Sequence, residues 1–315
     1  MEFKRYTPDM KPQWDCFVRS SKNGTFLFCR DYMEYHSDRF TDFSWVVTDD
    51  GGKIRALFPA SIHPGGEVRS HGGLTYGGLV MDDRTSAGGP DSPLAMFPPL
   101  FEAMKGEGAT ALLYKPVPHI YHRQPAEEDL YALWRMGAAL EVRNLSSAIF
   151  LHDPVRSSRL GKRALKRQRL FGIEVEPTDS AADFWDIIVE DRRVRHNVVP
   201  VHNCAEMQLL RDRFPDDIRF YIARHGEEIL AGAVIYIANG VLHLQYAAAT
   251  DKGKELYAVD VIYHTLLFDL FPDARWFDFG ISNEDSGRYL NEGMIAHKEE
   301  FGARSVVYDM YRITL

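Results

Sequence analysis

Trp276 to Arg312 reads WFDFGISNEDSGRYLNEGMIAHKEEFGARSVVYDMYR, a strand, a polar loop, a helix, a glycine turn and a second strand. The aromatic run Trp276-Phe277-Asp278-Phe279-Gly280 encloses one acid. An ionised carboxylate inside such a strand is costly unless it is paired or hydrogen-bonded. Asn283, Glu284, Asp285 and Ser286 follow as helix caps and acceptors. Lys298 sits late in the next helix, just before Phe301 and the stop signal Gly302. Leu290, Met294 and Phe301 form the expected inward stripe, which leaves Lys298 to point at a neighbouring groove. The unit is therefore expected to set the Asp278 carboxylate and the Lys298 amine around one cleft.

The rest of the chain can be aligned on this unit. EEDLYALWRMGAALEV (127–142) matches NEGMIAHKEEFGARSV (291–306), with Gly137-Ala138 on Gly302-Ala303. ATALLYKP (109–116) matches ARWFDFGI (274–281), LAMFPPLFEAM matches VDVIYHTLLFDLF, and IRALFPASI matches ILAGAVIYI. Each half runs hairpin, strand, helix, strand, helix, strand, so the chain reads as two copies of one α/β plan. The split falls near residues 152 to 158, giving domains 1–152 and 153–315. Asp278 is matched to Leu113 and Lys298 to Leu133, so only the second copy holds an ionisable pair there. The second copy is expected to carry the chemistry and the first to shape an acceptor or partner site.

The 315 residues are 45% hydrophobic and 12% aromatic, as in a packed globular protein. Net charge −8 argues against bulk nucleic-acid binding, though not against a local basic patch. Such a patch exists in RSSRLGKRALKRQRLFG (156–172), where Arg156, Arg159, Arg163, Lys166 and Arg167 repeat at helical spacing. Its plain reading is a solvated helix face, and its functional reading is a phosphate-bearing partner. Cys16, Cys29 and Cys204 share no metal-like spacing, and reduced thiols in a cytosolic protein are expected. The charged start, MEFKRYTPDMKPQWD, is not a signal peptide, and no apolar run is long enough to span a bilayer. The expectation is a cytoplasmic protein with no stable membrane insertion and no metal; its oligomeric state is open.

Other segments offer side chains for a site. The glycine-paired stretch VRSHGGLTYGGLV (68–80), which includes Tyr76, fits a bulged strand or a close backbone approach to a ligand. PVPHIYHRQP (116–125) follows Lys115 and sets His119, Tyr121, His122 and Arg123 between prolines. Such a loop suits an anionic or sugar-like ligand, and Tyr76, Lys115, His119, Tyr121, Arg123 and Asn283 are the expected substrate contacts. In HNVVPVHN, His202 is either a cap or a ligand-facing base.

The duplicated plan resembles the tandem acetyltransferase fold called GNAT: a mixed α/β (α+β) protein of two tandem domains, each a twisted mixed sheet flanked by helices. The basic opening helix, PVHN, AGAVIY and FDFGISNEDSG…HKEEFG resemble its Fem-like branch, which includes peptidoglycan aminoacyl transferases. The match is best over residues 156 to 312. The resemblance implies acyl transfer to an amine or hydroxyl on a small-molecule, glycan-precursor, cell-envelope or nucleotide-linked acceptor. It puts Lys298 at the transfer site, where a cation can stabilise developing negative charge or hold a donor phosphate. It also implies an acetyl-CoA or other acyl-CoA donor, cradled on backbone N–H groups where a loop meets a helix. The matching residues are Tyr246, Ala247, Ala248, Thr250, Lys252, Gly253 and Lys254. This loop has a single glycine and lacks the usual glycine-rich series, which keeps an aminoacyl-tRNA donor in play. Asp278, Glu284 and His202, in that order, are the candidate general bases. No nucleophile elbow is present, so direct transfer without a covalent acyl-enzyme is expected. A catalytically silent tandem protein that binds a glycan precursor or a partner is the third reading.

Overall fold

Residues 1–153, 166, 168–196 and 198–315 are described by the structure, a computed structural model. Most of the basic run, all but Lys166 of the five cations named above, lies outside them.

The chain packs as two units. The first comprises Met1–Asn144, Asp285–Arg288 and Val307–Leu315, and the second Leu145–Glu284 and Tyr289–Val306. Two long strands, Ala139–Phe150 and Arg304–Thr314, each contribute residues to both units.

In the first unit, Trp45–Thr48 and Ile54–Phe58 form an antiparallel hairpin flanked by Glu2–Arg5 and Val80–Met81. Glu67–Arg69 lies parallel to Ala111–Tyr114, which pairs antiparallel with the end of the last strand. Ser92 caps the helix Pro93–Gly106, whose Met96, Phe97, Leu100, Phe101 and Met104 are all buried against this sheet.

The second unit repeats the order with longer strands. Glu174–Thr178, Ile218–His225, Glu228–Ala238 and Val241–Ala249 form an antiparallel ladder. Trp276–Ile281 then lies parallel to Val241–Ala249 and antiparallel to the end of Ala139–Phe150. The helix Ala258–Thr265, continued by a π-helical turn Leu266–Leu270, packs Ala258, Val261, Ile262 and Leu266 into the core. Asn203 and Glu206 form a capping box, with bonds of 2.9 Å each way, at the start of Cys204–Arg213.

The internal repeat is visible in hydrogen bonds. Ala138 N–H donates to Leu133 O at 3.0 Å, and Ala303 N–H to Lys298 O at 3.3 Å. Gly137 and Gly302 both take a left-handed φ, +80° and +95°, which glycine adopts without a side-chain penalty. In the parallel pairs, Arg69 lies beside Leu113 and His243 beside Asp278. Leu113 and Asp278 each take the last paired position of a parallel pair, and Leu133 and Lys298 each accept the bond that closes a helix end.

Candidate active site

The parallel pairing of Val241–Ala249 with Trp276–Ile281 covers three residue pairs and ends at His243↔Asp278. One step further, the register of Val241–Ala249 against Glu228–Ala238 shifts, with Val234 opposite Tyr246 and Ile235 opposite Leu244. Gln245 is the extra residue of that bulge. Asp278 thus stands at the last paired position.

Asp278 is fully buried. Its Oδ1 accepts from Ser146 Oγ at 2.6 Å and from Gly280 N–H at 3.0 Å, and its Oδ2 lies 2.9 Å from His243 Nδ1. These contacts offset the desolvation of the carboxylate. They also hold the imidazole by one nitrogen, as a carboxylate partner does when it sets a histidine's orientation. Gly280 has φ +76°, which a side chain would strain.

Lys298 corrects an expectation. It is the buried residue of the helix Glu292–Glu300, at 7% exposure, whereas Leu290 of the expected inward stripe is 37% exposed. Its Nζ donates to Gly280 O at 2.7 Å, Ile281 O at 3.1 Å and Ser282 Oγ at 2.8 Å. An ammonium has three N–H bonds, and these three acceptors use them all. Burial lowers the Lys298 pKa to about 8, against the opposing pull of the Asp278 charge. Lys298 therefore fixes the chain turn after Gly280.

Asn283 belongs to the same cluster. Its Oδ1 accepts from Leu145 N–H, next to Ser146. Glu284 is exposed, with Oε1 3.4 Å from Asn291 Nδ2, and does not join Asp278. His202 is buried elsewhere, its Nδ1 2.8 Å from the Tyr246 hydroxyl, with the Trp185 ring set edge-on to Tyr246 at 5.4 Å. Burial raises the Tyr246 pKa.

Five of the seven residues matched to a donor site, Ala247, Ala248, Thr250, Gly253 and Lys254, line two neighbouring clefts, and Tyr246 and Lys252 line neither. One, of about 530 Å³, is bordered by Ala247, Ala248, Gly253, Lys254, Asp191, Asp260 and Glu300, among others. The other, of about 390 Å³, has Asp186, Glu190, Asp191 and Asp251 in its wall beside Thr250 and Lys254. The backbone here is already engaged. Gly253 N–H donates to Thr250 Oγ1 at 3.0 Å, and a Cβ on Gly253 would come within 2.2 Å of Leu230 O. Lys252 pairs with Glu228, and Lys254 with Asp251 at 3.2 Å and Asp191 at 3.4 Å. A diphosphate needs unengaged N–H groups and cations. The residues of this loop do not fit that requirement.

The first-unit substrate residues divide by burial. Tyr76 and Tyr121 are 4% and 1% exposed, with ring centroids 4.8 Å apart. Lys115 is buried and donates to Leu74 O, and burial lowers its pKa to about 8. These three are built into the interior of the unit. His119 is exposed, and Arg123 donates to Arg19 O and Ser21 O, tying the proline-rich loop to the first helix's end. Sequence reading passed over Ser146 and His243, whose link to Asp278 depends on strand register. It also passed over Asp260, an acid set between valines in the helix Ala258–Thr265. Among the described residues, no group of three or more His, Cys, Asp or Glu side chains could hold a metal ion. No helix among them is long and apolar enough to cross a membrane.

Comparison with known proteins bears on the fold. The family described as acetyltransferase (GNAT) domain matches residues 155–289. The crystal structure of FemX shares the fold over 100% of this chain and 98% of its own, at 14% identity and TM-score 0.69. L-PGS from Bacillus licheniformis does so over 98% and 92%, at 13% identity and TM-score 0.61. A tandem GNAT protein from the clavulanic acid biosynthesis pathway covers 99% and 98%, at 13% identity and TM-score 0.52. Comparison with curated proteins returns no sequence match. A GNAT domain match over residues 155–289, inside a fold shared end to end with FemX and a tandem GNAT protein, gives this chain a tandem GNAT-like fold.

Proposed function

We propose that this protein transfers an aminoacyl group from a tRNA ester to an amine on a cell-envelope or nucleotide-linked acceptor. The GNAT fold generally serves acyl-CoA, and the alternative donor here is an acyl-CoA. One observation carries the choice: both loop lysines are ion-paired and the Gly253 N–H is capped, in clefts rich in carboxylates. The basic run 156–172 supports a nucleic-acid donor through its sequence. So does the full-length likeness in fold to FemX and L-PGS.

In the proposed step, the acceptor nitrogen attacks the ester carbonyl carbon. A C–N bond forms, the ester C–O bond breaks, and the tRNA hydroxyl leaves with a proton. His243 is the proposed base that takes the amine's proton and returns it to the leaving oxygen. Its side chain is 12% exposed while Asp278 is 0% exposed, so the imidazole is the member of the pair that can reach an acceptor. Asp278 orients it, and Lys298 holds the chain turn on which Asp278 depends.

Thermal shift with acetyl-CoA and salt-dependent binding of aminoacyl-tRNA separate the donors. A ligand that binds only the native state raises the melting temperature. The expected result is no shift with acetyl-CoA, and tRNA binding that weakens steeply with salt. Saturable stabilisation by acetyl-CoA with no tRNA binding would reverse the assignment.

A further inference from the structure

The larger cleft holds a carboxylate that nothing in the fold explains. Asp260 is 6% exposed and lines the cleft with Asp191, Glu300, His297, Tyr257 and Tyr263. Among the described residues no hydrogen bond reaches the Asp260 carboxylate, and His297 Nε2 lies 3.8 Å from its Oδ1, beyond hydrogen-bond range. Burial raises its pKa to about 6, with the Glu300 charge adding and His297 opposing. A carboxylate desolvated at a cleft wall costs stability, and a cation entering the cleft would offset that cost. An aromatic wall beside clustered carboxylates is the chemistry that recognises an ammonium group.

We infer that this cleft is an ammonium subsite in which Asp260, with Glu300, binds the protonated amino group of the transferred aminoacyl moiety; Asp191 on the same wall is already paired with Lys254 at 3.4 Å. The inference rests on the proposed donor only for what carries the amine. The cleft is bordered by Ala247 to Ala249, on the strand that also carries His243.

The test uses glycinamide, L-serinamide and L-lysinamide with their N-acetyl counterparts, measured by calorimetry and thermal shift on the full chain. The free amides are expected to bind and the acetylated ones not. Asp260→Asn is expected to weaken binding about tenfold or more while the unliganded variant stays folded. Glu300→Gln, at an exposed position, serves as a second variant and should weaken binding less. Equal binding of free and acetylated amides, no binding of any amide, or unchanged affinity in Asp260→Asn overturns the subsite. Asp260-dependent amide binding in a protein that performs no aminoacyl transfer keeps the subsite and removes the donor assignment. Aminoacyl transfer indifferent to Asp260→Asn does the reverse.

Discussion

Asp278 and Lys298 hold the two peptide groups that flank one residue: Asp278 Oδ1 accepts the Gly280 N–H at 3.0 Å, and Lys298 Nζ donates to the Gly280 carbonyl at 2.7 Å. The acid and the cation both act on Gly280. Their joint product is the conformation of Gly280 to Ser282, where the strand leaves its parallel neighbour.

Replacing Lys298 tests that role. Lys298→Met keeps the length and most of the volume of the side chain but leaves two carbonyls and a hydroxyl without their donor. The orphaned acceptors outweigh the relief of removing a buried charge, so a loss of roughly 2–4 kcal/mol is expected in denaturant melts. Burial also sets a pH signature. The Lys298 pKa falls from 10.5 to about 8 in the native state, so the native protein gives up this proton first. Between these values the unfolded chain carries more protons, and stability rises with pH. Wild type should gain on Lys298→Met across that window, by up to roughly 3 kcal/mol. A flat difference between the two proteins from pH 7 to 10.5 would show that the amine is not buried as described.

The His243–Asp278 pair predicts a split between stability and rate. His243→Ala should lower kcat by about 100-fold or more, within the range for loss of a general base. Ser146→Ala removes one bond to Asp278 Oδ1 and should cost about 1–3 kcal/mol of stability with a smaller effect on rate. Equal kinetic losses in both variants would make the pair structural only.

Much of this architecture was legible before any coordinates. The match of Gly137-Ala138 to Gly302-Ala303 correctly aligned two helix ends that close with the same hydrogen bonds. What misled was the direction of Lys298. At the matched position Leu133 is fully buried, and the repeat therefore already implied an inward residue at 298. The apolar stripe through Leu290 argued the other way, because it assumed that a charge seeks water; three acceptors on the neighbouring strand's end reverse that preference. His243 was illegible for another reason. It meets Asp278 across 35 residues through a parallel register that no local pattern specifies. The proline-bounded loop after Lys115 read as a ligand platform, yet its Tyr121 is core, because a segment flanked by prolines can also be packed inward.

Gly253 carries a steric prediction. A Cβ there would sit 2.2 Å from the Leu230 carbonyl oxygen and 3.1 Å from the Ala249 side chain, and backbone cannot move aside cheaply. Gly253→Ala should cost about 1–3 kcal/mol, read as a lowered melting temperature. It should also perturb the wall of the amine cleft, so glycinamide affinity should fall with it. A variant as stable as wild type would mean that the Asp251–Glu255 helix packs less closely on the Glu228–Ala238 strand than described.

Asp260 predicts a stability change of the opposite sign. Its pKa is raised from 3.8 to about 6 by burial, with Glu300 raising it and His297 lowering it. As pH climbs through this interval the unfolded chain loses its proton first, the native state holds more protons, and stability falls. Above about pH 6 the native protein bears the full cost of a buried carboxylate, roughly 3 kcal/mol at most. Asp260→Asn should therefore melt with wild type near pH 4 and above it at pH 7, with the gap opening between the two. The amine probes should close that gap for wild type alone, because only the carboxylate gains an ionic partner. If Asp260→Asn is instead less stable than wild type at pH 7, the His297 contact at 3.8 Å is a working ion pair, and the cleft needs no ligand to account for its buried acid.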